Sequence, residues 1–195
     1  MNKSNPNPLH LLPRIEAIKA LLQTIEEDPN RDGLKDTPRR VAEMYDELFQ
    51  GYCEKPEELL ERVFDEDHHE MVIEKDIDFF SLCEHHMVPF FGKVHIGYIP
   101  KGKIVGFSKL SRLVDCFAHR LQVQERLTTQ IADTIQECLE PLGVIVVIEA
   151  KHLCMIMRGV KKANVENITS AVRGVFAEKD NNARPEFLSL IRRSI

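Results

Sequence analysis

The sequence predicts an α+β fold: N-terminal helices, then an antiparallel β-sheet backed by a pair of helices. Three observations predict it. Apolar residues recur at three- and four-residue spacing before residue 50. The texture turns β-rich near Met71. Two helical stretches between Ser108 and Glu140 then separate two pairs of strand candidates, giving the order β-β-α-α-β-β, followed by a last helix.

Each element has its own signal. Leu11, Ile15, Ile18, Leu22 and Ile25 form one helical stripe, broken by Asp28-Pro29-Asn30 and Asp32-Gly33. Thr37 as N-cap and Pro38 in the first turn start a second helix carrying Val41, Tyr45 and Leu48, which Gly51 ends. Cys53 to Glu70 is polar and acidic, with a short helix after Pro56. Met71-Val72-Ile73 and Ile77 to Phe80 read as strand. Val94, Ile96 and Tyr98 alternate with Lys93, His95 and Gly97 at strand period. Pro100-Lys101-Gly102 is a turn and Lys103 to Phe107 a return strand. Ser108 caps a helix bearing Leu110, Val114 and Phe117. A longer helix, Gln124 to Glu140, carries Leu127, Ile131, Ile135 and Leu139, and Pro141 and Gly143 stop it. Val144 to Ala150, Leu153 to Met157 and Ile168 to Phe176 are strand candidates, and Pro185 opens a helix with Phe187, Leu188 and Ile191. A boundary falls near residue 70, between an N-terminal helical region (1–70) and a β-containing domain (71–195); the first helices are too few to form a core alone.

Composition bounds the function. The 195 residues are 43% hydrophobic and 29% charged, which excludes disordered, collagen-like and coiled-coil chains. No apolar run approaches the roughly 20 residues that span a bilayer. MNKSNPNPLH lacks the apolar stretch of a secretory signal, so a cytoplasmic protein is expected. Lys plus Arg number 26 against 31 for Asp plus Glu, a net charge of -5, which argues against nucleic acid as partner. Five cysteines in a signal-less chain argue against a disulfide framework.

Cys83-Glu84-His85-His86 is the sharpest local signal. Two residues separate Cys83 from His86, a spacing at which a turn aims both side chains at one ion. His152-Leu153-Cys154 is the second half: in a strand, i and i+2 share a face. Thiolate plus imidazole suits Zn²⁺. Cys83, one of His85 and His86, His152 and Cys154 would close a structural site, whereas three ligands would leave a place for water and the second histidine free for proton chemistry. The alternative is that the cysteines are ordinary core thiols.

Ser108-Lys109-Leu110-Ser111-Arg112 opens a helix, where N–H groups and cations favour an oxyanion. Lys109 and Arg112 share a face, Arg158-Gly159 adds a bidentate donor, and Arg39-Arg40 adds charge; each is otherwise a solvated cation. Glu125 is either a helix-dipole cap or the acceptor of a guanine's N1–H and exocyclic amine. Met155 and Met157 read as strand core, His68-His69 as solvated, and Asn167-Ile168-Thr169 as a sequon without meaning in the cytoplasm.

Together these motifs carry a resemblance. Cys83-Glu84-His85-His86, Gly106-Phe107-Ser108-Lys109-Leu110, Gln122-Val123-Gln124-Glu125-Arg126-Leu127-Thr128, His152-Leu153-Cys154-Met155 and Met157-Arg158-Gly159 resemble type I GTP cyclohydrolase. Thr37-Pro38-Arg39-Arg40-Val41-Ala42, Thr169-Ser170 and Glu186-Phe187-Leu188 fit as well, so the similarity covers about residues 12–193. Leu121 and Phe107 depart from the commoner Pro and Leu without removing a chemical group.

The resemblance implies the tunnelling fold, with 71–195 as its catalytic domain, in allosteric homodecamers of two face-to-face pentamers with active sites at subunit interfaces. It implies hydrolysis and rearrangement of GTP and water to 7,8-dihydroneopterin triphosphate and formate, the entry to tetrahydrofolate and other pterins. By position it implies zinc on Cys83, His86 and Cys154, with water in the fourth place attacking C8 of the purine. His152 would protonate N7, His85 would be the second acid/base group, and Ser108 would assist ribose rearrangement. Glu125 and Gln124 match guanine recognition; Arg40, Lys109, Arg112 and Arg158 match the triphosphate clamp. The short N-terminal extension points to a bacterial housekeeping enzyme. Two rivals remain at this level: a nucleotide-binding protein with zinc closed by four ligands, and a tunnelling-fold enzyme acting on another pterin or a deazapurine.

Overall fold

The computed structural model describes residues 11–192, so the N-terminal stretch tested above for a secretory signal lies outside the described residues. The chain divides into two compact units between Phe49 and Gln50.

In the first unit, helices α1 (Leu12–Thr24) and α2 (Thr37–Leu48) pack together, and Arg14 Nη1 reaches Asp46 Oδ1 at 2.5 Å and the Ala42 carbonyl at 3.2 Å. Thr37 is not the cap expected from the sequence. Asp36 holds that position in helical conformation, and a preceding turn (Thr37 N to Leu34 O, 2.9 Å) runs straight into the helix.

The second unit is built on a five-stranded sheet. Its order is β5 (Leu121–Gln122), β2 (Val72–Cys83), β3 (Pro89–Ile99), β6 (Gly143–His152), β7 (Asn167–Gly174). Only β5 runs parallel to its neighbour. Helices α4 (Phe107–Ala118) and α5 (Gln124–Leu139) lie between β3 and β6 in sequence, so the long strands and the helices follow the β-β-α-α-β-β order expected, with a short strand before α4 and the two-residue β5 between the helices. The stretch 50–70 goes with this unit. It holds α3 (Pro56–Leu60) and a strand missed in the sequence, β1 (Val63–Asp65), which pairs with β4 (Lys103–Val105).

The helical stripes predicted the main core. Leu110, Leu113 and Val114 of α4 and Leu127, Ile131 and Ile135 of α5 pack on Phe79, Phe90, Val94, Ile96, Val144, Val146 and Ile148. The other face is covered at one end by Phe176 and by Phe187 of α7 (Ala183–Arg192), which pack with Ile145 and Val147. His95 and Gly97 on β3 are therefore buried too. A Cβ at residue 97 would come within 2.6 Å of the Phe187 ring, so only glycine leaves that ring its place.

Three further boundaries differ from the sequence reading. Gly106, extended, holds the cap position of α4, so Ser108 is the helix's second residue and the return strand ends at Val105. Leu153–Ile156 is a helical turn, α6, rather than a strand. β7 stops at Gly174 (φ 57°), before a 3₁₀ turn at Val175–Ala177. In β2, Glu74 pairs with Ile96 and Ile77 with Val94, so three residues advance against two, a bulge with Asp76 at φ 61°. No helix of the described residues is long and apolar enough to cross a membrane.

Candidate metal centre

The sheet brings the two halves of the motif together because β2 and β6 both flank β3. Cys83 ends β2, and the chain turns at once: His86 and Met87 N–H both point at the Cys83 carbonyl (3.3 and 2.7 Å), and Cys83 N closes the turn on Val88 O at 3.0 Å. Glu84 N bonds Gln122 O at 2.9 Å, and its carboxylate takes both Arg126 guanidinium nitrogens at 2.6 and 3.0 Å. That pair lowers the Glu84 pKa and ties the turn to the start of α5. On the other side, Phe90 pairs with His152 at the end of β6. Cys154 follows within α6, so its approach comes from a helical turn and not from the shared strand face the sequence suggested.

Ligand atoms of Cys83, His86 and Cys154 all lie within 4.8 Å of one another. Two thiols and an imidazole are the soft N/S donor set that zinc takes, and ligands around a tetrahedral zinc sit ~3.5–4 Å apart, so these residues fit a metal. Three donors leave one coordination position open. Burial pushes the Cys154 thiol up, the adjacent Cys83 pushes it the same way, and Arg158 opposes both.

The cluster opens into a cavity of about 380 Å³ also lined by His85, Gln124, Glu125 and His152. His85 Nδ1 lies 3.8 Å from Cys83 Sγ, with its ring nearly perpendicular to that of His86. Glu125, in the first turn of α5, is exposed. His152 stacks on Phe90 (centroids 4.6 Å apart, planes 8° apart), and burial pulls its pKa down against the opposing charge of Glu125. Gln124 is 3% exposed: its Nε2 donates to Ile148 O at 3.0 Å and Asn167 O at 2.9 Å, and its Oε1 lies 2.9 Å from His152 Nε2.

Seven of the twelve predicted site residues thus meet in one cavity. The other five do not line it. Ser108, Lys109 and Arg112 lie along α4, where Ser111 bonds Glu74 instead. Arg158 is exposed but near enough to act on Cys154. Arg40 belongs to the first unit, paired with Asp36 at 3.6 Å. Sequence reasoning missed Phe90, which the β3–β6 pairing places under His152; it read Asn167-Ile168-Thr169 only as a sequon and Thr169-Ser170 only as part of the resemblance, whereas Asn167 and Thr169 line the cavity.

Residues 15–192 match the family described as GTP cyclohydrolase I. The chain belongs to that family. Relatives named GTP cyclohydrolase 1 bear this out along most of the chain. That of Carboxydothermus hydrogenoformans is 61% identical over 162 residues, covering 83% of this chain and 84% of its own. That of Halalkalibacterium halodurans is 58% identical, covering 91% and 94%. That of Desulforamulus reducens is 57% identical, covering 94% and 98%. Among solved structures, the apo archaeosine synthase QueF-Like aligns with a TM-score of 0.45 at 20% identity, covering 53% of this chain and 93% of that one.

Proposed function

We propose that this GTP cyclohydrolase I family enzyme converts GTP and water to 7,8-dihydroneopterin triphosphate and formate at a zinc site, in the cytoplasm, as the entry to tetrahydrofolate. The observation that carries the reading is the Cys83-His86-Cys154 triplet opening into a cavity that also holds two further histidines and a carboxylate. Cys83, His86 and Cys154 would hold the ion. When bound, zinc lowers the pKa of water to about 7 and so supplies hydroxide at neutral pH.

The protein's own groups do the rest. The Glu125 carboxylate accepts from the guanine N1–H and exocyclic amine, a donor pair adenine lacks. His152, its plane held by Phe90, and His85 carry protons at the imidazole ring of the purine as it opens and C8 leaves as formate. Ser108 assists the ribose rearrangement before the pterin ring closes. Lys109, Arg112, Arg158 and Arg40 hold the triphosphate. The assembly we propose is a homodecamer of two pentamers; Ser108, Lys109 and Arg112 do not line the cavity of one chain, which supports a site completed by a neighbouring copy.

The test uses purified protein and GTP, with formate release and the fluorescence of oxidised neopterin as readouts. Cys154→Ala is expected to lose both zinc and formate release, and His152→Ala to keep zinc and lose turnover. A Cys154→Ala protein that keeps zinc and full activity overturns the reading.

A further inference from the structure

We propose that Gln124 is a positioning residue that holds His152 with its proton on Nε2, so that every proton His152 takes or gives in the reaction passes through Nδ1. The inference rests on the reading of this cavity as the GTP-converting site, and it assigns Gln124 to the histidine rather than to the guanine.

The hydrogen-bond network leaves Gln124 no other orientation. Its Nε2 faces two backbone carbonyls, Ile148 O at 3.0 Å and Asn167 O at 2.9 Å. A flipped amide would set the side-chain oxygen against both carbonyl oxygens, so the orientation follows from its partners. An amide has two N–H donors, and both are now used. Only Oε1 remains, 2.9 Å from His152 Nε2. A carboxamide oxygen can only accept, so the hydrogen in that bond belongs to the imidazole.

The consequence holds in either charge state of the ring. In neutral imidazole, Nε2 carries the proton and Nδ1 the lone pair. In imidazolium, the Nε2 proton stays on the ring, donated to Gln124 Oε1, and the Nδ1 proton is the one free to leave. The stack on Phe90, 4.6 Å between centroids, keeps the ring in the plane that makes this bond. At 3% exposure and with both donors engaged, Gln124 has no N–H to offer a base. Its neighbour Glu125 is exposed and lines the cavity.

The experiment is solid-state ¹⁵N NMR of zinc-loaded protein with labelled histidine, the His152 signals being assigned by their loss in His152→Asn. Wild type is expected to show a protonated Nε2 and an unprotonated Nδ1. Gln124→Met should release this preference and lower kcat roughly 10- to 100-fold, with zinc content kept and KM for GTP within about twofold. A wild-type His152 that is protonated at Nδ1 and bare at Nε2 overturns the proposal even if no variant folds. So does a Gln124→Met enzyme with an unchanged tautomer and a raised KM, the signature of direct guanine binding. The tautomer is read without turnover, so a protein inert towards GTP would sink the functional reading and leave this assignment to stand or fall on the spectrum.

Discussion

The two faces of β6 differ along one ten-residue strand. On one face, Val144, Val146, Ile148 and Ala150 are buried under the helices, and the row ends at His152 beside Gln124 of α5. On the other, Ile145 and Val147 are buried under Phe176 and Phe187, and the row then runs out to half-buried Glu149 and exposed Lys151. The functional group sits where the fully covered row ends, and the half-covered row simply returns to solvent. Two neighbours act on His152 there: Phe90 of β3 covers one side of the ring, and Gln124 of α5 supplies a buried amide to orient it.

That contrast can be broken from either side. The largest stability effect is expected on the half-covered face. Phe187→Ala should cost about 3–5 kcal/mol in urea unfolding, since a fully buried ring is removed. Zinc content should stay at wild-type level; loss of the metal in this variant would show that the two faces are not separable. A smaller effect is expected from His95, 4% exposed, whose Nδ1 accepts the Asp76 N–H at 3.2 Å. Burial lowers its pKa below 6.5, Lys75 and Lys93 add to this, and Glu149 and Asp76 oppose it. The folded state therefore binds the proton less tightly than the unfolded one. Stability should be full above pH ~6.5 and fall as the pH drops below it, a slope that His95→Gln should flatten. The smallest effect is expected at the turn. Arg126→Ala leaves Glu84 without its bidentate partner, yet the pair is largely exposed. Zinc affinity by competition with a chelator should weaken by less than about tenfold, below the loss seen for groups that bond a ligand directly.

Much of this was legible in the residues. The stripe Leu127-Ile131-Ile135-Leu139 fixed α5 almost to its ends, and the run Val144 to Ile148 marked the strand buried on both faces, because burial on both faces removes the polar alternation. The spacing in Cys83-Glu84-His85-His86 marked a turn that gathers ligands. Less was legible where a partner distant in sequence decides the outcome. β1 is three residues long and exists through its pairing with β4. Leu153-Cys154-Met155-Ile156 is apolar enough for a strand, yet the chain coils there after the sheet ends. The resemblance placed Gln124 beside the guanine, but the network that engages its amide comes from Ile148 and Asn167, 24 and 43 residues away.

The extra residue in β2 has a reach well beyond its own turn. Before it, Val72 packs with the helix-side core and Ile73 with the opposite cluster, so even numbers point to the helices. After it, Ile77, Phe79 and Cys83 join the helix-side core and Ser81 bonds Ala118 O, so odd numbers do. The irregularity switches the parity of the strand, and the switch delivers the sulfur of Cys83 to the side where Cys154 waits. Deleting Lys75 alone would set residues 74, 76 and 77 against 96, 95 and 94, removing the bulge while residue 83 stays on the helix side, so zinc uptake should survive that deletion, whereas a one-residue insertion between Ile77 and Leu82 would turn residue 83 to the wrong side.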